Sequence, residues 1–274
     1  MTFRTILVDL REDSARAARI EAAARLAMLF DGSVVGLTAT GTQLEPFRGA
    51  GEDAGKYAAL AAGTIRRLAA EHHAVLQKLV KQVGPSIPAR QVLMEAEAGW
   101  ALATEGRFAD LILPALPLAD ESVPAPMAKA AEYALLNSGR PVMLVPGKVG
   151  LHVPGRIVIG WNGSREAARA VADALPMLRL ASRVSIVVIA TGEGESDDDG
   201  VRLTTWLASH DVEAALHVED GGDPDHALLR VARDLQADLL VAGGYGRPRL
   251  SELVLGGTTR ALTRQSEMPV FMSH

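Results

Sequence analysis

The feature that most constrains this chain is that it repeats itself. Ala109-Asp110-Leu111-Ile112-Leu113 answers Ala237-Asp238-Leu239-Leu240-Val241, and Arg140-Pro141-Val142-Met143 answers Met268-Pro269-Val270-Phe271. Both pairs stand 128 positions apart (237 − 109 and 269 − 141). One offset shared by two separated segments marks duplication of a whole folding unit. The 274 residues therefore divide into two copies, 1–147 and 148–274, each the size of an ordinary domain.

Within each copy, short apolar runs alternate with longer segments of helical period. The first copy predicts strands at 5–10, 33–39, 90–96, 110–114 and 141–145. Its helices fall at 14–30, with Ser14 or Asp13 as N-cap, and at 57–83, 100–108 and 127–136. After a linker at 148–155, the second copy predicts strands at 156–161, 183–190, 214–218, 239–242 and 269–272. Its helices fall at 164–178, 201–209, 225–235 (with Pro224 suited to the first turn) and 260–265, and an acidic loop at 192–200. Alternating strands and helices imply parallel strands joined by right-handed crossovers, hence an α/β fold with a doubly wound sheet in each copy. Ligands of such sheets lie beyond the carboxyl ends of the strands, where strand order reverses.

Composition narrows the function. Net charge is −5, which argues against a nucleic-acid or anionic-membrane surface. The absence of cysteine excludes disulfides, thiolate metal sites and cysteine catalysis, and is compatible with a reducing cytosol. No apolar run approaches the roughly 20 residues needed to span a bilayer. The start of the chain lacks a signal-peptide form, so the expected location is the cytoplasm.

The segment richest in chemical meaning is Gly243-Gly244-Tyr245-Gly246-Arg247, which runs on to Gly256-Gly257-Thr258-Thr259. It follows a buried strand and precedes a helix. Glycines let a backbone approach a ligand closely, and the first amides of a helix point outward at partial positive charge. Two residues separate Gly243 from Gly246, and nine separate Gly246 from Gly256. This spacing resembles the nucleotide-binding signature of the universal stress protein family, with Gly257 standing where that family usually has Ser or Thr. Thr258 and Thr259 follow at once and can supply the hydroxyl.

Both copies resemble universal stress protein domains, and the chain is similar to a tandem member. The resemblance implies two Rossmann-like domains, each a five-stranded parallel sheet of order 3-2-1-4-5 flanked by helices. The fifth strands, 141–145 and 269–272, would pair with each other as an intrachain pseudo-dimer, and a further homodimer is compatible. It implies adenine-nucleotide binding in the second copy, with ATP as ligand and magnesium accompanying it. Asn162 stands where the family often has an Asp near adenine, and the Ile189 backbone would face the base. Gly222 and Asp223 would lie near the ribose. Gly243, Gly246, Gly256, Gly257, Thr258 and Thr259 would wrap the phosphates. Arg247, with Arg249, could neutralise phosphate charge. The first copy reads Ala115-Leu116-Pro117-Leu118 where the second has its glycines, so no nucleotide is expected there.

Other candidates read more plainly. Adjacent residues on a helix point about 100° apart, so His72-His73 reads as two exposed polar positions, not a metal site. His217 and Glu219 share a strand face at a sheet edge. Asp197-Asp198-Asp199 reads as solvated loop. Trp100, Trp161 and Trp206 read as packing residues, Trp161 lying beside the proposed pocket. There is no G-x-x-x-x-G-K-[ST] loop, G-x-S-x-G elbow or H-E-x-x-H helix, and no general base is identifiable, so no enzymatic activity is expected. Three functions remain: a nucleotide-binding signalling module with unknown protein partners, an interaction protein with both copies empty, and a slow ATPase.

Overall fold

The computed structural model describes residues 2–41, 52–116, 130–147, 151, 155–190, 197–220, 224–244 and 266–274. They form two compact units, Phe3–Arg140 and Pro141–His274.

The first unit runs β1 (Thr5–Asp9), α1 (Arg16–Leu29), β2 (Ser33–Ala39), α2 (Glu52–Val83), β3 (Ala89–Met94), α3 (Ala98–Gly106), β4 (Leu111–Leu113) and α4 (Ala130–Asn137). Its strands pair in parallel in the order β3-β2-β1-β4. Ile6, Leu7 and Val8 of β1 are fully buried, as expected for a strand covered by helices on both faces. Helix α2 lays His72, Leu76 and Val80, one residue per turn, against the sheet, and all three are buried.

The second unit runs β5 (Val142–Leu144), β6 (Arg156–Trp161), α5 (Arg165–Leu178), β7 (Arg183–Ala190), α6 (Asp197–Ala208), β8 (Ala214–Asp220), α7 (Pro224–Asp234), β9 (Leu239–Gly243) and β10 (Val270–Ser273). The sheet order is β5-β10-β9-β6-β7-β8, in which β10 through β8 are parallel. Counted from β6, this is the 3-2-1-4-5 order. β5 joins antiparallel, Met143 opposite Phe271, so the fifth strands of the two repeats pair with each other.

The repeated Ala-Asp-Leu segment has a structural reason. Asp110 Oδ2 accepts the backbone N–H groups of Arg4 (2.8 Å) and Thr5 (2.9 Å), pinning the start of β1 to the start of β4. Asp238 Oδ2 does the same for Arg156 N (2.8 Å), pinning β6 to β9.

Several local expectations change. α1 begins at Arg16 without a side-chain cap, because Asp13 Oδ1 accepts from Ala15 N and its carboxylate is taken up by Arg19. Asp197-Asp198-Asp199 is not loop but opens α6, where carboxylates complement the positive end of the helix dipole. Gly200 belongs to that helix: a Cβ there would lie 2.7 Å from Leu216 Cδ1, so it is a packing glycine. Trp100 and Trp206 are substantially exposed and do not serve as core. Trp206 instead meets His210, ring centroids 4.3 Å apart. His72 is buried, while His73 is exposed as expected.

Candidate functional site

In the second unit the strand order reverses between β6 and β9, so the crevice between their carboxyl ends is where a ligand is expected. The helix that starts there is α5. Its entry is built by Trp161-Asn162-Gly163-Ser164. Gly163 takes φ +69°, a left-handed conformation that glycine adopts without strain. Ser164 is the N-cap, its hydroxyl accepting from Ala167 N at 3.2 Å. Asn162 Oδ1 accepts from Ser164 N (3.2 Å) and Ser164 Oγ (2.7 Å). The backbone N–H must meet an oxygen, which fixes the orientation of the amide. The Oδ1 atom is therefore engaged in the turn, and the Nδ2 amide group keeps its two N–H donors outside it. An Asp at this position could only accept.

β9 reaches the same helix end. A Cβ on Gly243 would lie 2.5 Å from Ala167 N and 2.8 Å from Glu166 C. Only a glycine lets strand and first helical turn come this close. Gly244 continues from it, buried and held twice: its N–H donates to Ser273 O (2.9 Å), and its carbonyl meets His274 Nδ1 (2.9 Å). Asn162 and the opening of the glycine motif, 81 positions apart (243 − 162), thus converge on one helix N-terminus. Ile189 stands at the carboxyl end of β7, paired with Glu219. The β6–β7 register ends one residue earlier, at Trp161 opposite Val188. Gly222, Asp223, Gly246, Arg247, Gly256, Gly257, Thr258 and Thr259 lie outside the described residues.

Sequence reasoning missed two neighbours of this site. Glu166, buried at the first turn of α5, takes a hydrogen bond from Arg165 Nε at 2.6 Å. Burial pushes its carboxyl up. The Arg165 hydrogen bond, its own backbone N–H and the charges of Arg165 and His274 outweigh that and hold it below the usual glutamate range. His274 is the second; as a lone residue at the end of the sequence it carries no motif. Trp161, expected beside the pocket, has in Nε1 a buried donor with no hydrogen-bond partner among the described residues. Trp161 shares a face with Val188, the face that α6 covers, because a Cβ on Gly200 would reach Val188 Cγ2 at 3.4 Å. On the other face, which Gly160 turns toward Leu228 of α7, Glu219 pairs with Arg230 at 3.0 Å. Among the described residues no group of His, Asp and Glu is arranged to hold a metal ion.

Residues 155–274 match the model of the universal stress protein family. Residues 155–274 are thus a universal stress protein domain. The whole chain is similar in fold to a universal stress protein from Archaeoglobus fulgidus, at 15% identity and a TM-score of 0.73, covering 97% of each chain. It is also similar to a functionally unknown protein from Pseudomonas aeruginosa, at 17% identity and a TM-score of 0.59, covering 98% of this chain and 92% of that one. No curated protein matches the chain. Likeness at this identity establishes the fold of both units, and the family match establishes the domain type of the second. Among the described residues no helix is long and apolar enough to cross a membrane.

Proposed function

We propose that this universal stress protein is a cytoplasmic module that binds one adenine nucleotide, ATP, in its second unit and acts through the conformation it then presents to protein partners. The observation that carries this reading is the convergence of Asn162 and Gly243-Gly244 on the N-terminus of α5 at the β6/β9 crevice. A helix N-terminus presents unpaired amides to anions, and Gly243 brings the opening of the glycine motif up against this one. The Asn162 amide and Trp161 Nε1 are donors at the same end of the sheet, suited to acceptor atoms of a purine. The remaining motif residues, Gly246, Gly256, Gly257, Thr258 and Thr259, continue the cradle in sequence, and Arg247 adds positive charge. The ionised Glu166 beside this turn makes a divalent cation accompanying the nucleotide favourable, because the cation offsets carboxylate and polyphosphate charge alike.

The reading is of binding without turnover. Calorimetry with ATP, ADP and AMP tests it, alongside a phosphate-release assay. It expects saturable binding of at least one nucleotide at or below about 1 mM, lost in Gly246→Leu, and no steady phosphate release. Phosphate release that survives purification and stops in Gly256→Val would favour a slow ATPase instead. No binding of any of the three nucleotides would leave an interaction protein with an empty fold.

A further inference from the structure

The first unit has its own strand reversal, between β1 and β4, and two residues beyond β1 stands a guanidinium, that of Arg11, with no hydrogen-bond partner among the described residues. Asp9, the last residue of β1, spans the crevice: Oδ1 accepts Arg11 N at 2.9 Å and Oδ2 accepts Ala115 N, just beyond β4, at 3.2 Å. The loop that follows is locked by Arg19, whose guanidinium is fully buried. Arg19 Nε donates to Asp9 O (2.9 Å), Nη2 to Arg11 O (3.0 Å), and Nη1 to both oxygens of Asp13 (3.1 Å each). Every donor atom of Arg19 is thereby used, and the Arg11 backbone is held at both its N–H and its carbonyl.

The Arg11 side chain is the opposite case. It is 15% exposed, and Nε, Nη1 and Nη2 are all buried without a hydrogen-bond partner among the described residues. Its ion-pair partner is Asp13 Oδ2, 3.6 Å from Nη2, beyond hydrogen-bonding distance and already bonded to Arg19. A guanidinium carries five N–H donors in a planar fork and cannot lose its charge. Leaving such a group buried and unbonded is among the costliest arrangements in a protein interior. A rigid loop that holds it there, at the end of the sheet where ligands bind, is the arrangement of a binding residue.

We propose that the first unit binds a small oxyanion, a carboxylate or phosphate group, through Arg11 in the β1/β4 crevice. The Arg11 fork takes the two oxygens side by side, as guanidinium does with either group. Asp9 and Arg19 position Arg11 and do not touch the ligand. The glycine motif of the second unit plays no part, so the proposal is independent of the nucleotide site.

The test uses the full chain carrying Gly246→Leu, in Tris–chloride, so that the second-unit motif contributes nothing. Arginine Nε–H resonances are followed while inorganic phosphate or sodium acetate is added. The resonance that Arg11→Met deletes should move saturably with at least one anion, half-complete below about 10 mM. Which anion moves it separates a phosphate ligand from a carboxylate one. No saturable movement of that resonance with either anion overturns the proposal. Arg11→Met is also melted in the absence of added anion. Its melting temperature should fall by no more than about 4 °C, since the buried guanidinium makes no hydrogen bond and its ion pair with Asp13 is long. A fall of more than about 4 °C, or failure to fold, would make Arg11 a structural residue and overturn the proposal as well.

Discussion

Replacing Gly243 by alanine tests the geometry of the second-unit site at its tightest point. The added methyl carbon would sit 2.5 Å from Ala167 N, 2.8 Å from Glu166 C and 3.0 Å from Ala167 Cα. All three are backbone atoms of the first turn of α5, so no side-chain rotation relieves the overlap. Either β9 retreats, at the expense of its parallel ladder with β6 and β10, or the start of α5 moves. Overpacking of this kind costs about 1–3 kcal/mol. The unit contains 134 residues (274 − 141 + 1). For that size each kcal/mol lowers the melting temperature by about 3–4 °C, so the expected fall is about 3–12 °C. The assay is thermal unfolding followed by tryptophan fluorescence in a Trp100→Phe background, which leaves Trp161 and Trp206, both in the second unit. A displaced helix start would also break the Ser164–Ala167 cap and move Asn162, so nucleotide affinity should fall with stability. If Gly243→Ala melts and binds like the parent chain, strand and helix do not meet as described and the site argument fails.

Three further outcomes follow from the structure. Gly63 lies inside α2 with open space around its Cα, so Gly63→Ala should stabilise the first unit by about 0.5–1 kcal/mol in a urea titration; destabilisation would mean a hidden contact. Arg19→Met removes four hydrogen bonds and leaves the buried Asp13 carboxylate only its longer ion pair with Arg11, so it should cost about 3–5 kcal/mol by the same measurement; a loss below about 1 kcal/mol would show that the Arg19 latch is not formed. The His72 pKa is lowered, first by burial and then by Arg16, against the opposing pull of Asp9, Glu12 and Glu71. The neutral ring is thus favoured in the folded state. Its contribution to stability is complete above the unfolded value of 6.5 and is lost as pH falls from there through the lower folded pKa. His72→Gln should flatten the stability profile in that acidic window, and an unchanged profile would refute the assignment.

The architecture was legible because duplication and strand–helix alternation are carried by many residues at once. The repeated Ala-Asp-Leu segments, 128 positions apart, open β4 and β9, the runs at β1 and β6 are buried, and the fifth strands pair. What escaped depended on tertiary contact. Asp197-Asp198-Asp199 followed by Gly200 reads locally as loop, but the helix dipole welcomes the carboxylates and Gly200 packs closely on the Leu216 side chain. His72 looked exposed beside His73, although it lies on the same stripe as Leu76 and Val80, a signal that was available. There, among the described residues, it is satisfied on one side only: Gln91 Nε2 donates to Thr38 Oγ1 (2.8 Å), leaving the Thr38 hydroxyl proton for His72 Nδ1 (3.0 Å). Arg19 was invisible as a buried residue, since nothing in an alanine-rich helix marks one arginine as the latch of the preceding loop. At the site, Asn162 and Gly243 were found by motif, whereas Glu166 and His274 came only from proximity in space.

The central claim is that the second half of the chain, and only that half, holds an adenine nucleotide. Equilibrium dialysis against labelled ATP, at concentrations that saturate the protein, counts the nucleotides held per chain. The account predicts one for the parent chain and none for Gly246→Leu, with both proteins equally folded by circular dichroism. Zero bound to the parent, or two, or one that persists in Gly246→Leu, would contradict it.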